Sequence, residues 1–195
     1  MKEKTNKLLF YLAIFSLIFL FFIEIFSSYD TPVRQAALAL TGLSAIIVLL
    51  IVFQKTKSKL QISLPFYIAW TTALAVWFDA LGNFAGLYEK ILWWDKLAHV
   101  VGSGALTLAF FFIFYELNKK GKIKLGKFNL SLYSISLAVF LSSIYEVSEF
   151  LGDQWFATRR VTDLYDTADD MMWNIIAGIV IVIIFWLLLS FKRRK

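Results

Sequence analysis

Apolar residues gather into six long runs, and the polar residues gather between them. The runs are Leu8–Phe26, Val33–Phe53, Leu60–Leu81, Ile91–Leu117, Leu130–Leu151 and Asp170–Leu189. A helix rises about 1.5 Å per residue, so runs of this length match a hydrocarbon core of roughly 30 Å. The pattern predicts an all-α, polytopic membrane bundle of about six transmembrane helices, with residues 1–195 forming one bundle. The expected location is a cell membrane, crossed several times. The first run follows Lys2, Lys4 and Lys7, as the apolar part of a secretory signal does, but it is longer and lacks an A-x-A-like cleavage site. It is expected to remain as the first helix.

The connections between runs alternate in charge. Lys55, Lys57 and Lys59 separate runs two and three, Lys119 to Lys127 separate runs four and five, and Lys192 to Lys195 close the chain. Positively charged loops stay in the cytoplasm, so both termini are expected there. Of the 14 Asp and Glu, all but Glu3 and Glu116 fall at or near the other face. Carboxylates hardly influence topology, and several of these sit inside apolar helix ends, where charge is costly. Function is therefore sought at the acidic, extracytoplasmic end.

Composition narrows the classes further. The chain of 195 residues is 59% hydrophobic and 17% charged, against about 25% charged for an ordinary soluble domain. The net charge of +6 is dispersed through short loops rather than concentrated on a face, which argues against nucleic acid as a partner. Without cysteine there are no disulfides, thiolate metal sites or thiol nucleophiles.

The acidic end carries three groups of interest. Asp95 and the single histidine, His99, are four apart, so a helix places them on one face. Such a pair can ligate a metal, act as an acid/base pair, or satisfy itself structurally while Lys96 snorkels to the interface. Glu146 and Glu149 also share a face, where two carboxylates need a cation, a shared proton or an arginine. Arg159 and Arg160 can supply that charge and lock the following loop. Asp163, Asp166 and Asp170 follow D-x-x-D-x-x-x-D, with Asp169 alongside and Asn174 one turn on. Helix capping accounts for one or two of these, and the remainder suit a hard divalent cation that bridges to phosphate oxygens. Asp79 and Asn83 form a further i, i+4 pair, and Glu24 is read as a snorkelling carboxylate. Gly102, Ser103, Gly104 and Gly178 are read as close-packing positions.

The segments Asp95-Lys96-x-x-His99, Tyr145-Glu146-x-x-Glu149 and Asp163-x-x-Asp166-x-x-x-Asp170-Met171 resemble the YjdF-like membrane proteins, an uncharacterised bacterial and archaeal family. Phe150 and Tyr165 stand where that family has tryptophan. The resemblance covers residues 81–178 and implies a family core carrying the polar site, with runs one to three alike only in hydropathy. More distantly, D-K-x-x-H followed by Asp170-x-x-x-Asn174 resembles the VanZ-like proteins of the teicoplanin-resistance type. Both resemblances imply an outer-face polar site and a role in envelope lipids.

The leading expectation is a divalent-metal-dependent enzyme acting on a phosphorylated lipid or envelope lipid intermediate. In it His99, Glu146 and Asp95 are catalytic, and Glu149, Asp163, Asp166 and Asp170 hold Mg²⁺ or Mn²⁺, with Zn²⁺ the alternative through His99. Arg159, Arg160, Asn174 and Asp79 bind substrate, and membrane lipids are the partners. Two other readings stand beside it. One is a cation- or proton-coupled transporter or lipid flippase; the other is a non-catalytic protein whose polar cluster pins a loop for lipid or partner binding.

Overall fold

The computed structural model describes residues 2–27, 32–158, 160 and 165–193. Asp30, Arg159 and Asp163 lie outside the described residues. Among those described, seven α-helices follow one another: α1 (Lys2–Phe26), α2 (Pro32–Lys55), α3 (Phe66–Phe84), α4 (Leu87–Lys90), α5 (Trp94–Lys119), α6 (Lys127–Phe156) and α7 (Asp166–Arg193). The protein is an all-α, multi-pass membrane protein.

Five of these helices, α1, α2, α5, α6 and α7, are long and apolar enough to cross a membrane. The third expected run differs. A π-helical turn, Thr56–Leu60, extends α2, and Gln61 then takes a left-handed conformation at φ 56°. Helix α3 therefore begins at Phe66, and Thr71, Thr72, Asp79 and Asn83 dilute its apolar character. It nonetheless runs beside α1. At one end Asn6 Nδ2 donates to Leu64 O at 2.9 Å and Asn6 Oδ1 accepts from Phe66 N at 2.7 Å. At the other, Asn83 Oδ1 accepts from Arg34 Nη2 at the start of α2 at 2.9 Å.

The basic connections meet at one end of the bundle. Lys122 Nζ donates to Leu60 O at 2.9 Å, and Lys120 Nζ donates to Gln61 O. Just inside this end, Phe111, Leu130 and Val182 form a buried cluster between α5, α6 and α7, with Phe185 and Trp186 packed against it. A second apolar cluster joins α1, α2 and α3 through Phe10, Leu17, Ile46, Leu49 and Ala73.

The two groups of helices meet mainly through α3 against α5. Trp94 at the start of α5 stacks on Phe78 of α3 with ring centroids 4.1 Å apart and planes within 5°. Gly82 permits this approach, because a Cβ there would lie 2.4 Å from both Trp94 Nε1 and Tyr88 Cε2. Small residues also let α7 approach its neighbours. A Cβ on Gly104 would touch Ile181 at 3.4 Å, and one on Gly178 would meet Ile135 at 3.1 Å. Gly102 differs from the expectation of close packing, since nothing lies within 4 Å of its Cβ position and it borders a cavity instead.

Candidate functional site

The acidic end of the bundle encloses a cavity of about 970 Å³ between α2 and α3 on one side and α5, α6 and α7 on the other. Its lining is charged near the helix ends and mixed deeper in, where Ala75, Val76, Leu106 and Leu141 face it beside Thr41 and Thr72. It follows α5 from Asp95 to Leu106, about 16 Å along the helix axis.

His99 is the centre of one group of charges. Its Nε2 lies 3.6 Å from Asp95 Oδ1 on the same helix and 3.4 Å from Asp170 Oδ1 on α7. Its Nδ1 lies 3.6 Å from Glu146 Oε1 on α6. Glu146 and Asp170 are each only 3% exposed. Three carboxylates thus surround one imidazole, so even a protonated ring leaves negative charge to be balanced by a cation or by shared protons. One ligand atom each from Asp95, His99 and Asp170 lies within 4.8 Å of the others. Two ligands of a small divalent ion, at bonds of about 2.1 Å, sit roughly 3.0–3.4 Å apart, so modest tightening would suffice. Glu146 faces the opposite ring nitrogen. That is where a carboxylate orients a metal-binding histidine and fixes its tautomer.

Arg160 is the centre of a second group. Helix α6 ends at Ala157, which adopts φ 53°, and the chain turns back. Asp153 holds the turn, accepting from the Thr158 hydroxyl and from Arg160 N at 2.9 Å. This sends the Arg160 side chain into the cavity wall. There its Nη2 pairs with Glu149 Oε1 at 2.7 Å, donates to Tyr145 Oη at 2.7 Å and approaches Asp79 Oδ1 at 3.5 Å. Asp79 also accepts from Tyr88 Oη at 2.7 Å and from Asn83 Nδ2 at 3.2 Å. Burial alone would lower the Arg160 pKa, but Tyr145, Asp79 and Glu149 outweigh it and hold the guanidinium charged above its ordinary value. Burial first, and then Asp79, push the Tyr88 phenol well above its usual value, so it remains a donor.

The sequence-predicted residues thus divide between two groups. Asp95, His99, Glu146 and Asp170 converge as expected, with Asp166 bordering the same cavity. Glu149 and Asp79 belong with Arg160 rather than with the histidine. Asp169 forms an ion pair with Lys96 at 2.8 Å, so that lysine ties α5 to α7. Glu24 does not snorkel: it is 2% exposed, with Oε2 directed toward Gly42. Tyr145 stands in a sequence motif without a role of its own, and Tyr88 and Ser142 stand outside every motif. For Ser142 a signal existed, since it lies four residues before Glu146.

Fold and site together define a polytopic membrane protein with an acidic, histidine-centred group at one end of its bundle. The family model described as "Predicted membrane protein (DUF2238)" matches residues 8–191, and the chain belongs to that family. This is the family identified above as YjdF-like, and the match extends through helices α1 to α3 as well as the later segments. An uncharacterized protein of Thermotoga maritima is 30% identical over 101 residues, 50% of each chain. The chain therefore matches about half the length of that relative. These matches lend no support to the VanZ-like resemblance. No solved structure matches the chain.

Proposed function

We propose that the protein is a divalent-metal-dependent enzyme acting at the extracytoplasmic face on a phosphorylated lipid or envelope lipid intermediate. The observation that carries this reading is the meeting of Asp95, His99 and Asp170 at the head of a cavity whose deeper walls include Ala75, Val76, Leu106 and Leu141. In this reading Asp95, His99 and Asp170 hold the ion and Glu146 orients the imidazole. Oxygen-rich ligands favour Mg²⁺ or Mn²⁺, and the imidazole also suits Zn²⁺. The ion would neutralise phosphate charge and activate water, while the wall formed by Ala75, Val76, Leu106 and Leu141 would receive a lipid chain.

Transport is less favoured, because α5, α6 and α7 pack an apolar cluster of Phe111, Leu130 and Val182 toward the basic end. A non-catalytic role keeps one specific support, the Arg160 network. It locks the loop after α6 onto Glu149, Tyr145 and Asp79 and needs no metal.

Phosphate release from a series of acyl and prenyl phosphates and diphosphates, supplied in mixed micelles with Mn²⁺, tests the proposal. His99→Ala and Asp170→Ala should abolish turnover at unchanged membrane yield. Turnover at the wild-type rate in both variants would remove the enzyme reading.

A further inference from the structure

Beneath the histidine group lies a second polar layer with the same helical register. His99 is followed by Ser103 on α5, Glu146 is preceded by Ser142 on α6, and Asp170 is followed by Asn174 on α7. Each pair is four residues apart, about 6 Å along its helix. Ser103, Ser142 and Asn174 are 2%, 8% and 1% exposed, and all three border the cavity. Ser103 Oγ donates to Asn174 Oδ1 at 2.6 Å and lies 2.7 Å from Ser142 Oγ.

A hydroxyl has one proton to give. If Ser103 gives its own to Asn174, then Ser142 must be the donor to Ser103. The chain therefore runs in one direction, Ser142 to Ser103 to Asn174, and each bond polarises the next. Its far end is Asn174 Nδ2, which is buried and has no hydrogen-bond partner among the described residues. A buried donor left unpaired is costly, and an acceptor oxygen arriving there removes that cost.

We infer that Asn174 binds the ligand's headgroup, its Nδ2–H donating to a phosphate oxygen one helical turn below the Asp95–His99–Asp170 group. This rests on the metal reading for the balance of charge, since an anionic oxygen near Asp170 needs a cation beside it. The two serines act by fixing the amide so that its donor side faces the ligand. A tetrahedral phosphate can present one oxygen to the ion and another to Asn174.

The test titrates purified full-length protein in detergent with Mn²⁺, then with hexyl phosphate, inorganic phosphate and hexanol. Asn174→Ala should weaken hexyl phosphate about tenfold, while Mn²⁺ and hexanol binding stay within about twofold of wild type. Ser103→Ala, which keeps the amide but frees it to turn, should lose an intermediate amount. Tighter binding of hexyl phosphate than of inorganic phosphate assigns the contact to a lipid headgroup, and the reverse assigns it to a free anion. Hexyl phosphate binding unchanged in both variants, or absent in wild type, overturns the inference. A parallel loss of Mn²⁺ and hexanol binding in Asn174→Ala also overturns it, by showing a structural role. If wild type binds phosphate through Asn174 but takes up no Mn²⁺, the metal reading falls and the Asn174 contact stands.

Discussion

His99 Nδ1 lies 3.6 Å from Glu146 Oε1 while Nε2 of the same ring faces Asp95 and Asp170, so one imidazole joins α5, α6 and α7. The two nitrogens have different neighbours, and that separates their roles. The Nδ1 side meets a single carboxylate and suits an orienting hydrogen bond. The Nε2 side meets two carboxylates from different helices and suits a shared ion.

Removing Arg160 should damage stability more than removing its partners. The Arg160 and Glu149 side chains are 13% and 11% exposed, so Arg160→Ala leaves Glu149 and Asp79 without their cation. The expected loss is about 3–5 kcal/mol. Adding Glu149→Gln to that variant should restore part of it, and thermal unfolding of the single and double variants in detergent measures the coupling. Equal unfolding temperatures for wild type and Arg160→Ala would show that the network stabilises nothing.

Gly82→Ala tests the seam between the two groups of helices. The new methyl would fall 2.4 Å from Trp94 Nε1, against a ring already stacked on Phe78. Overpacking of this kind costs about 1–3 kcal/mol, and a rigid indole has little freedom to yield. Thermal unfolding and Trp fluorescence should both shift, and an unchanged emission spectrum would count against the described packing.

Glu24 predicts an unusual tolerance. Its carboxylate is buried, and Oε2 has no hydrogen-bond partner among the described residues. Glu24→Gln keeps the shape and removes the chance of an ionised group there, so stability should stay level or rise. A drop of several degrees in unfolding temperature would mean that the carboxylate has a cationic partner.

Orientation can be read directly, because the chain has no cysteine. Lys124 and Gln154 are both exposed and lie beyond opposite ends of the bundle, in the α5–α6 connection and near the end of α6. In intact cells an impermeant thiol reagent should label Gln154→Cys and spare Lys124→Cys. The reverse pattern would move the site to the cytoplasmic face.

Much of this arrangement was legible in spacing. Asp95 with His99, and Asp170 with Asn174, lie four apart on helices, so their shared faces follow from periodicity alone. The convergence of three helices on one imidazole follows from burial, because charged groups in apolar helix ends must find each other. What periodicity does not carry is the choice of partner. Glu146 and Glu149 are three apart and equally acidic, yet the first meets His99 and the second Arg160, because Asp153 turns the chain back at Ala157. The start of α3 was hidden for a related reason: residues 61–65 include apolar Ile62 and Leu64, which are buried without being helical.

Manganese titration followed by electron paramagnetic resonance tests the central claim most directly. The account predicts one tightly held Mn²⁺ per chain in wild type and in Glu149→Gln, and its loss in His99→Ala and Asp170→Asn. No bound ion in wild type, or binding that survives both of the latter changes, would contradict it.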